Sequence, residues 1–332
     1  MSEQLPLGDR PQLVDRRFFL VADVGGTHAR FALAGTGGLS HYRVLACADH
    51  PGIDDAMRAY VASIDAPPVR HAAIAIATPV DGDAIRMTNH AWAFSIEELR
   101  ATLSLETLRV MNDFAAIAHA LPALTPADLE PIGGGTQQPL EPRCVLGPGT
   151  GLGVAAMVHA GGQWTVVPSE GGHASFSPSD EVEAEILRFT WTEHPHVSSE
   201  RLVSGPGLTL IHRALCAVRG KKVEKLGADE IVRRAATPEG ALCAETLSRF
   251  SAMLGTFAAN MAVTLGARGG IYIAGGVVGK LGEHFDRERF RTRFEAKGRF
   301  GGYLAAIPTW RITHECPALA GLATLPPGCD RL

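Results

Sequence analysis

The sequence predicts an α/β fold, because short buried strands that end in glycine turns give way to long stretches of helical periodicity. Three observations carry this expectation. An apolar run at Phe18–Val24 stops at Gly25-Gly26 and resumes over Ala29–Ala34. The same design returns at Cys144–Leu146, a glycine-rich turn over Gly147–Gly153, and Val154–Val158. From Glu239 to Leu265 the apolar residues fall at helical spacing, up to a stop near Gly266.

In chain order, the first hairpin needs glycine at its turn because a tight reversal visits backbone conformations that side chains disfavour. Buried strands follow at Ala72–Ala77 and Leu108–Met111, the second running through Asn112-Asp113 into a helix over Phe114–Leu121. Pro122, Pro126 and Pro131 then break the chain, with Gly133-Gly134-Gly135 behind them as a domain boundary or surface loop. Ser177-Pro178 and Thr237-Pro238 each pair an N-cap residue with proline at the first helical position, so a helix is expected behind each. Gly270–Ala274 reads as a short buried strand ending in Gly275-Gly276, with a helix after it.

Composition narrows the function classes. The chain has 332 residues, 46% hydrophobic and 20% charged, enough to bury a large core. A net charge of −4 argues against a broad nucleic-acid surface, and no apolar stretch is long enough to span a bilayer. Cys47, Cys144, Cys216, Cys243, Cys316 and Cys329 show no CxxC pair and no zinc spacing, which suits reduced thiols in the cytoplasm. Residues 1–17 carry Arg10, Arg16 and Arg17, but the apolar run after them ends at Asp23, too soon for a signal-peptide core; a flexible tail is expected there.

Two glycine-rich hairpin turns, each with a threonine, are the chemical signal. Asp23-Val24-Gly25-Gly26-Thr27 and Gly147-Pro148-Gly149-Thr150-Gly151 both let backbone N–H groups converge with no Cβ in the way, an arrangement that suits a polyphosphate. Either turn alone reads as an ordinary hairpin, whereas the pair favours phosphate. Asp23, at the strand end, can hold Mg²⁺ directly or through water. The GxGxxG pattern fails at the second turn, and Gly275–Lys280 fails as a P-loop because Leu281 stands where Ser or Thr belongs. Asn112-Asp113 sits at the C-terminal end of a strand, where a carboxylate can take a proton from an attacking hydroxyl. The same pair can equally cap the following helix. Glu170-Gly171-Gly172-His173 offers a carboxylate and an imidazole for sugar hydroxyls, although such a histidine is often structural. Glu200 beside Arg201 can equally be a surface ion pair.

Taken together, DVGGTHAR (23–30), TNHAWAFS (88–95), MNDF (111–114), GTGLGV (149–154), EGGH (170–173), SERLVSGPG (199–207), GIYIAGG (270–276) and KGRF (297–300) resemble the bacterial glucokinase family, in family order and over nearly the whole chain. The resemblance implies a two-lobed actin-like ATPase fold, ribonuclease-H-like, with an active-site cleft between the lobes. It implies a small α/β domain over 18–122 plus 314–332 and a large one over 123–313. It implies phosphorylation of glucose at O6 by Mg·ATP, in a homodimer. Residue by residue, Asp113 matches the catalytic base and Asn112, with Asp113, a glucose ligand. Glu170, His173 and Glu200 match the other sugar ligands. Ala22, Asp23, Val24, Gly25, Gly26 and Thr27 match the first nucleotide phosphate loop; Gly149, Thr150 and Gly151 match the second. Gly207, Gly275 and Gly276 match turns near the nucleoside. His28 departs from the family's usual Asn. The related ROK (repressor, open reading frame, kinase) proteins carry a zinc-binding cysteine cluster after the sugar-binding histidine, and no cysteine occurs here between Cys144 and Cys216, so no zinc is expected. The rival readings are a kinase for another hexose and a sugar-binding regulator without turnover.

Overall fold

The computed structural model describes residues 18–66 and 68–326; the expected tail and Cys329 lie outside them. The chain divides into two units, one running to Leu124 and taking the chain up again from Glu315, the other spanning Thr125–His314.

The first unit is built on Phe19–Val24 (β1), apolar along nearly its whole length because it is paired on both sides. It runs antiparallel to His28–Gly35 (β2), which continues the meander into Gly38–Ala46 (β3). On its other side it runs parallel to His71–Ile76 (β4). A small hairpin, Ala84–Arg86 (β5) with Ala93–Ser95 (β6), stands apart, and Thr107–Asn112 (β7) closes the main sheet in the order β3-β2-β1-β4-β7. The helices are Ile53–Ala62 (α1), Ile96–Thr102 (α2), Asp113–Ala120 (α3) and, from the returning segment, Pro317–Ala323 (α12), which packs on α3. Phe31, Tyr60, Ile74 and Ile76 sit in the middle of this unit's core, with Phe31 and Tyr60 stacked at 5.1 Å.

The second unit repeats the plan. Arg143–Pro148 (β9), Leu152–Ala160 (β10) and Gln163–Ser169 (β11) form an antiparallel meander. Ile271–Ile273 (β12) and Thr309–Ile312 (β13) extend it in parallel from β9, and Leu129–Gly133 (β8) closes the edge antiparallel to β13. Its helices are Glu181–Trp191 (α4), Ser199–Leu202 (α5), Gly205–Val218 (α6), Ala228–Ala235 (α7), Ala241–Leu265 (α8), Gly276–Leu281 (α9), Arg287–Glu295 (α10) and Gly301–Ala305 (α11). The long α8 runs through the core, burying its own Phe250, Leu254 and Phe257, and ends, as the sequence predicts, at Gly266 with φ +60°.

Three sequence expectations change. The helix expected at Ser177-Pro178 begins later, at Glu181, because Asp180 caps it: the Asp180 carboxylate accepts from Glu183 N–H at 2.8 Å, and Glu183 reaches back to Ser179 N–H at 2.8 Å. A carboxylate followed three residues later by Glu is the stronger cap. At Thr237-Pro238 a single 3₁₀ turn precedes α8. The glycine stretch 133–135 begins inside strand β8, and the change of unit falls earlier, after Leu124.

Candidate active site

In the first unit, β1 delivers the first glycine turn. Ala22 and Val24 are buried, with their side chains in the core, so they shape the turn and offer a ligand no side chain. Gly25 N–H donates to His28 O at 3.0 Å, which closes the reversal, and Thr27 and His28 are exposed at its tip. Gly26 needs to be glycine: a Cβ there would lie 2.8 Å from the Asn89 carbonyl oxygen, so the TNHAWAFS segment is seated directly on this turn. Asp23 lies opposite Arg30 in the β1–β2 register and pairs with it at 3.3 Å; its side chain is 21% exposed. Burial pushes the Asp23 carboxyl above its usual range, and Arg30 opposes that rise. The sequence alone shows Arg30 seven positions on but not that it faces Asp23, because the pairing follows from where the turn closes.

The strand β7 ends on Asn112, and α3 starts on Asp113. Asn112 is the N-cap: its Oδ1 accepts from Phe114 N–H at 2.9 Å and from Ala115 N–H at 3.4 Å. Its Nδ2 donates to Thr78 O at 3.4 Å. Asp113 Oδ1 also accepts from Phe114 N–H, at 2.9 Å. The capping alternative is therefore realised, chiefly through Asn112. Thr78 was not singled out from sequence; it is buried, its hydroxyl meets that of Thr88 at 3.1 Å, and nothing in a lone Thr-Pro signals such support.

In the second unit, the hairpin β9–β10 turns at Gly149-Thr150-Gly151, with Gly149 N–H donating to Gly151 O at 2.8 Å. Gly275, φ +86°, reverses the chain against this turn, where a Cβ would meet the Pro148 carbonyl oxygen at 2.5 Å. Gly275 and Gly276 are exposed. Gly207, by contrast, is buried in α6 and donates its N–H to Ser204 Oγ at 3.1 Å.

The three sugar-ligand candidates come together beside this turn. Glu170 precedes and His173 ends a 3₁₀ turn after β11, and Glu200 is the second residue of α5. A short antiparallel bridge, Ser175 with Ser198, and the Ser199 N–H to Ala174 O bond at 2.8 Å tie the two segments. As a result His173 Nδ1 lies 3.9 Å from Glu200 Oε1, and His173 Nε2 lies 3.9 Å from Glu170 Oε2. His173 is 61% exposed and Glu200 is 30% exposed. Glu200 does not pair with Arg201; its Oε2 accepts from Leu152 N–H at 2.8 Å, at the foot of the glycine turn. A groove of about 200 Å³ opens alongside, walled by Thr150, Glu200, Arg201, Ser204, Pro206 and Arg213. Two carboxylates and an imidazole at the mouth of an amide-rich turn can bind a polyol and an oxyanion side by side.

Among the described residues, no three His, Cys, Asp or Glu side chains gather at metal distance, and no helix is long and apolar enough to cross a membrane. A family model described as Glucokinase matches residues 20–326. The bifunctional protein glk of Burkholderia pseudomallei is 52% identical over 92% of this chain, which spans 48% of that relative's length, so about half of it. The glucokinase of Neisseria meningitidis is 48% identical over 92% of this chain and 93% of its own. A crystal structure of a glucokinase from an Antarctic psychrotroph has a TM-score of 0.85 at 34% identity, covering 93% of this chain and 98% of the other.

Proposed function

The chain belongs to the glucokinase family, and from that premise we propose that it phosphorylates D-glucose at O6 with ATP, giving glucose 6-phosphate and ADP. The observation that carries this reading is the gathering of Glu170, His173 and Glu200 beside the second glycine turn. Carboxylates and an imidazole recognise hydroxyls by accepting their protons in fixed directions, and such a site rejects ligands that lack those hydroxyls.

In this reading Glu170, His173, Glu200 and the Asn112 amide hold the sugar. Asp113 accepts the O6 proton as the bond from O6 to the γ-phosphorus forms and the bond to the β,γ-bridging oxygen breaks, with ADP leaving. Backbone N–H groups of Gly26, Thr27, Thr150 and Gly151 donate to phosphate oxygens while the Gly25 and Gly149 N–H groups close their turns, and Gly207, Gly275 and Gly276 shape the nucleoside end. Ala22 and Val24 anchor the first turn. The Asp23 carboxylate, a partly exposed oxygen donor near the end of β1, fits a hard cation held jointly with phosphates, directly or through water. Mg²⁺ bound there supplies charge neutralisation on the phosphates. Arg30 keeps Asp23 oriented when the metal is away. Family membership further supports a cytoplasmic homodimer.

The test is a coupled assay of purified protein with Mg·ATP and a panel of hexoses. ADP release with glucose, and markedly slower release with fructose, mannose or an N-acetylated hexosamine, is the expected result. A faster turnover on another hexose overturns the assignment to glucose, and binding without ADP release overturns the assignment to an enzyme.

A further inference from the structure

Glu200 faces two ways. Its Oε1 is turned toward His173, 3.9 Å from Nδ1, among the groups assigned to the sugar. Its Oε2 is turned toward the second glycine turn and accepts from Leu152 N–H at 2.8 Å. The fit at that turn is close: a Cβ on Gly151 would overlap Glu200 Oε2, so the carboxylate occupies the space that glycine leaves. Leu152 is the first residue of β10, opposite Pro148 where the chain reverses, so its bond to Glu200 sits at the very end of the ladder. The helix that carries Glu200 is itself fixed at its start. Ser198 caps its start, accepting from Arg201 N–H at 3.3 Å, and Ser199 N–H holds Ala174 O. Just beyond, Gly205 N–H donates to Gly149 O at 2.9 Å.

The turn therefore has three ties: an internal one from Gly149 to Gly151, a backbone one from Gly205, and the carboxylate of Glu200. Only the last depends on a side chain. A bond from a backbone amide to an ionised oxygen is the strongest kind the turn makes. We propose that Glu200 is a positioning residue for the second phosphate turn as well as a sugar ligand, setting the direction in which the Gly149–Gly151 amides point and so the affinity for the nucleotide phosphates. This rests on the reading of that turn as a phosphate seat.

The readout is the affinity for ADP and for a non-hydrolysable ATP analogue, titrated calorimetrically with Mg²⁺ and without any sugar. A residue that only binds glucose cannot affect it. Glu200→Ala is expected to weaken nucleotide binding about tenfold, the loss of one charge-assisted bond. Glu200→Gln keeps an oxygen for Leu152 N–H and is expected to stay within about threefold of the parent, while its glucose affinity still falls. Glu170→Ala and His173→Ala leave sugar-free nucleotide affinity unchanged. Gly151→Ala, which displaces the carboxylate, reproduces the loss in the parent but adds little in the Glu200→Ala background, since both act through one contact. The cycle also covers the case in which one single variant folds poorly. Nucleotide affinity in Glu200→Ala equal to the parent's, an equal loss in Glu200→Gln, or additive effects in the cycle each overturn the positioning role while leaving glucose phosphorylation standing. A parent protein that binds no nucleotide overturns the phosphate reading itself.

Discussion

Asn112 uses its amide oxygen on Phe114 and Ala115 N–H and turns its NH₂ toward Thr78 O, so one side chain caps α3 and is also asked to hold sugar. The two roles separate by substitution. Asn112→Ala removes the cap and is expected to cost about 1 kcal/mol of stability, whereas Asn112→Ser keeps a capping oxygen and stays near the parent. Both should raise the KM for glucose, because neither retains the amide. Thermal melting beside glucose titration reads both effects, and full glucose affinity in Asn112→Ser reduces Asn112 to a cap. At Glu170 and His173 the expectation is simpler. Alanine at either leaves a sugar hydroxyl unpaired and should weaken glucose binding about tenfold, with sugar-free ADP affinity unchanged. Loss of nucleotide affinity with glucose affinity intact would take both residues out of the sugar site. The residue types and their order were legible in the sequence. What was not legible is that Glu200 leans on Leu152 instead of Arg201, because a contact spanning that much chain leaves no local pattern.

The hairpins, the strand leading to Asn112 and the long α8 all follow from local signals, apolar runs ended by glycine or by a capping residue. The start of α4 shows where such signals compete. Ser177-Pro178 and Asp180 both qualify as starts, and Asp180 prevails because Glu183, three residues on, completes its cap and Arg249 and Arg293 both lie within 3.5 Å of its carboxylate. That convergence has a pH consequence. Burial alone would raise the Asp180 carboxyl, but the Glu183 N–H, Arg249 and Arg293 together hold it below its usual value. A carboxyl lowered by folding adds stability above its ordinary pKa of 3.8 and loses it as pH falls through the folded value. Asp180→Asn keeps a capping oxygen without the charge. Its deficit in melting temperature should therefore be full at neutral pH and should close as pH drops below about 4. A deficit that stays constant across that range would show that the charge of Asp180 contributes nothing to the start of α4. Strands β3, β8, β11 and β13 lack a clear apolar signal for a related reason: β3, β8 and β11 are sheet edges with no fully buried residue, and β13, next to the edge strand β8, buries only its two end residues.

At the scale of the whole molecule, two sheets share one plan: an antiparallel meander whose first strand is extended by two parallel strands. The sequence shows the repeated hairpin and the strands β4 and β12, but these are joined to it only by long crossovers, and nothing local announces that they pair with it in parallel. Each unit opens its meander with a glycine turn, which is why two such turns in one chain point to a polyphosphate more strongly than either does alone. The same scale governs metals. Activity should require Mg²⁺ or Mn²⁺, and elemental analysis of purified protein should find no stoichiometric zinc, since the scattered cysteines offer no thiolate cluster. Zinc at one equivalent would move the chain toward the ROK proteins. The central claim is that this chain transfers phosphate to glucose with Asp113 as the base, and the turnover of Asp113→Asn at saturating glucose and Mg·ATP tests it most directly. The amide keeps the shape and can still accept from Phe114 N–H, so glucose binding should survive while kcat falls about 10²–10⁴-fold. Near-normal turnover in that variant would contradict the claim and leave Asp113 as no more than part of a helix start.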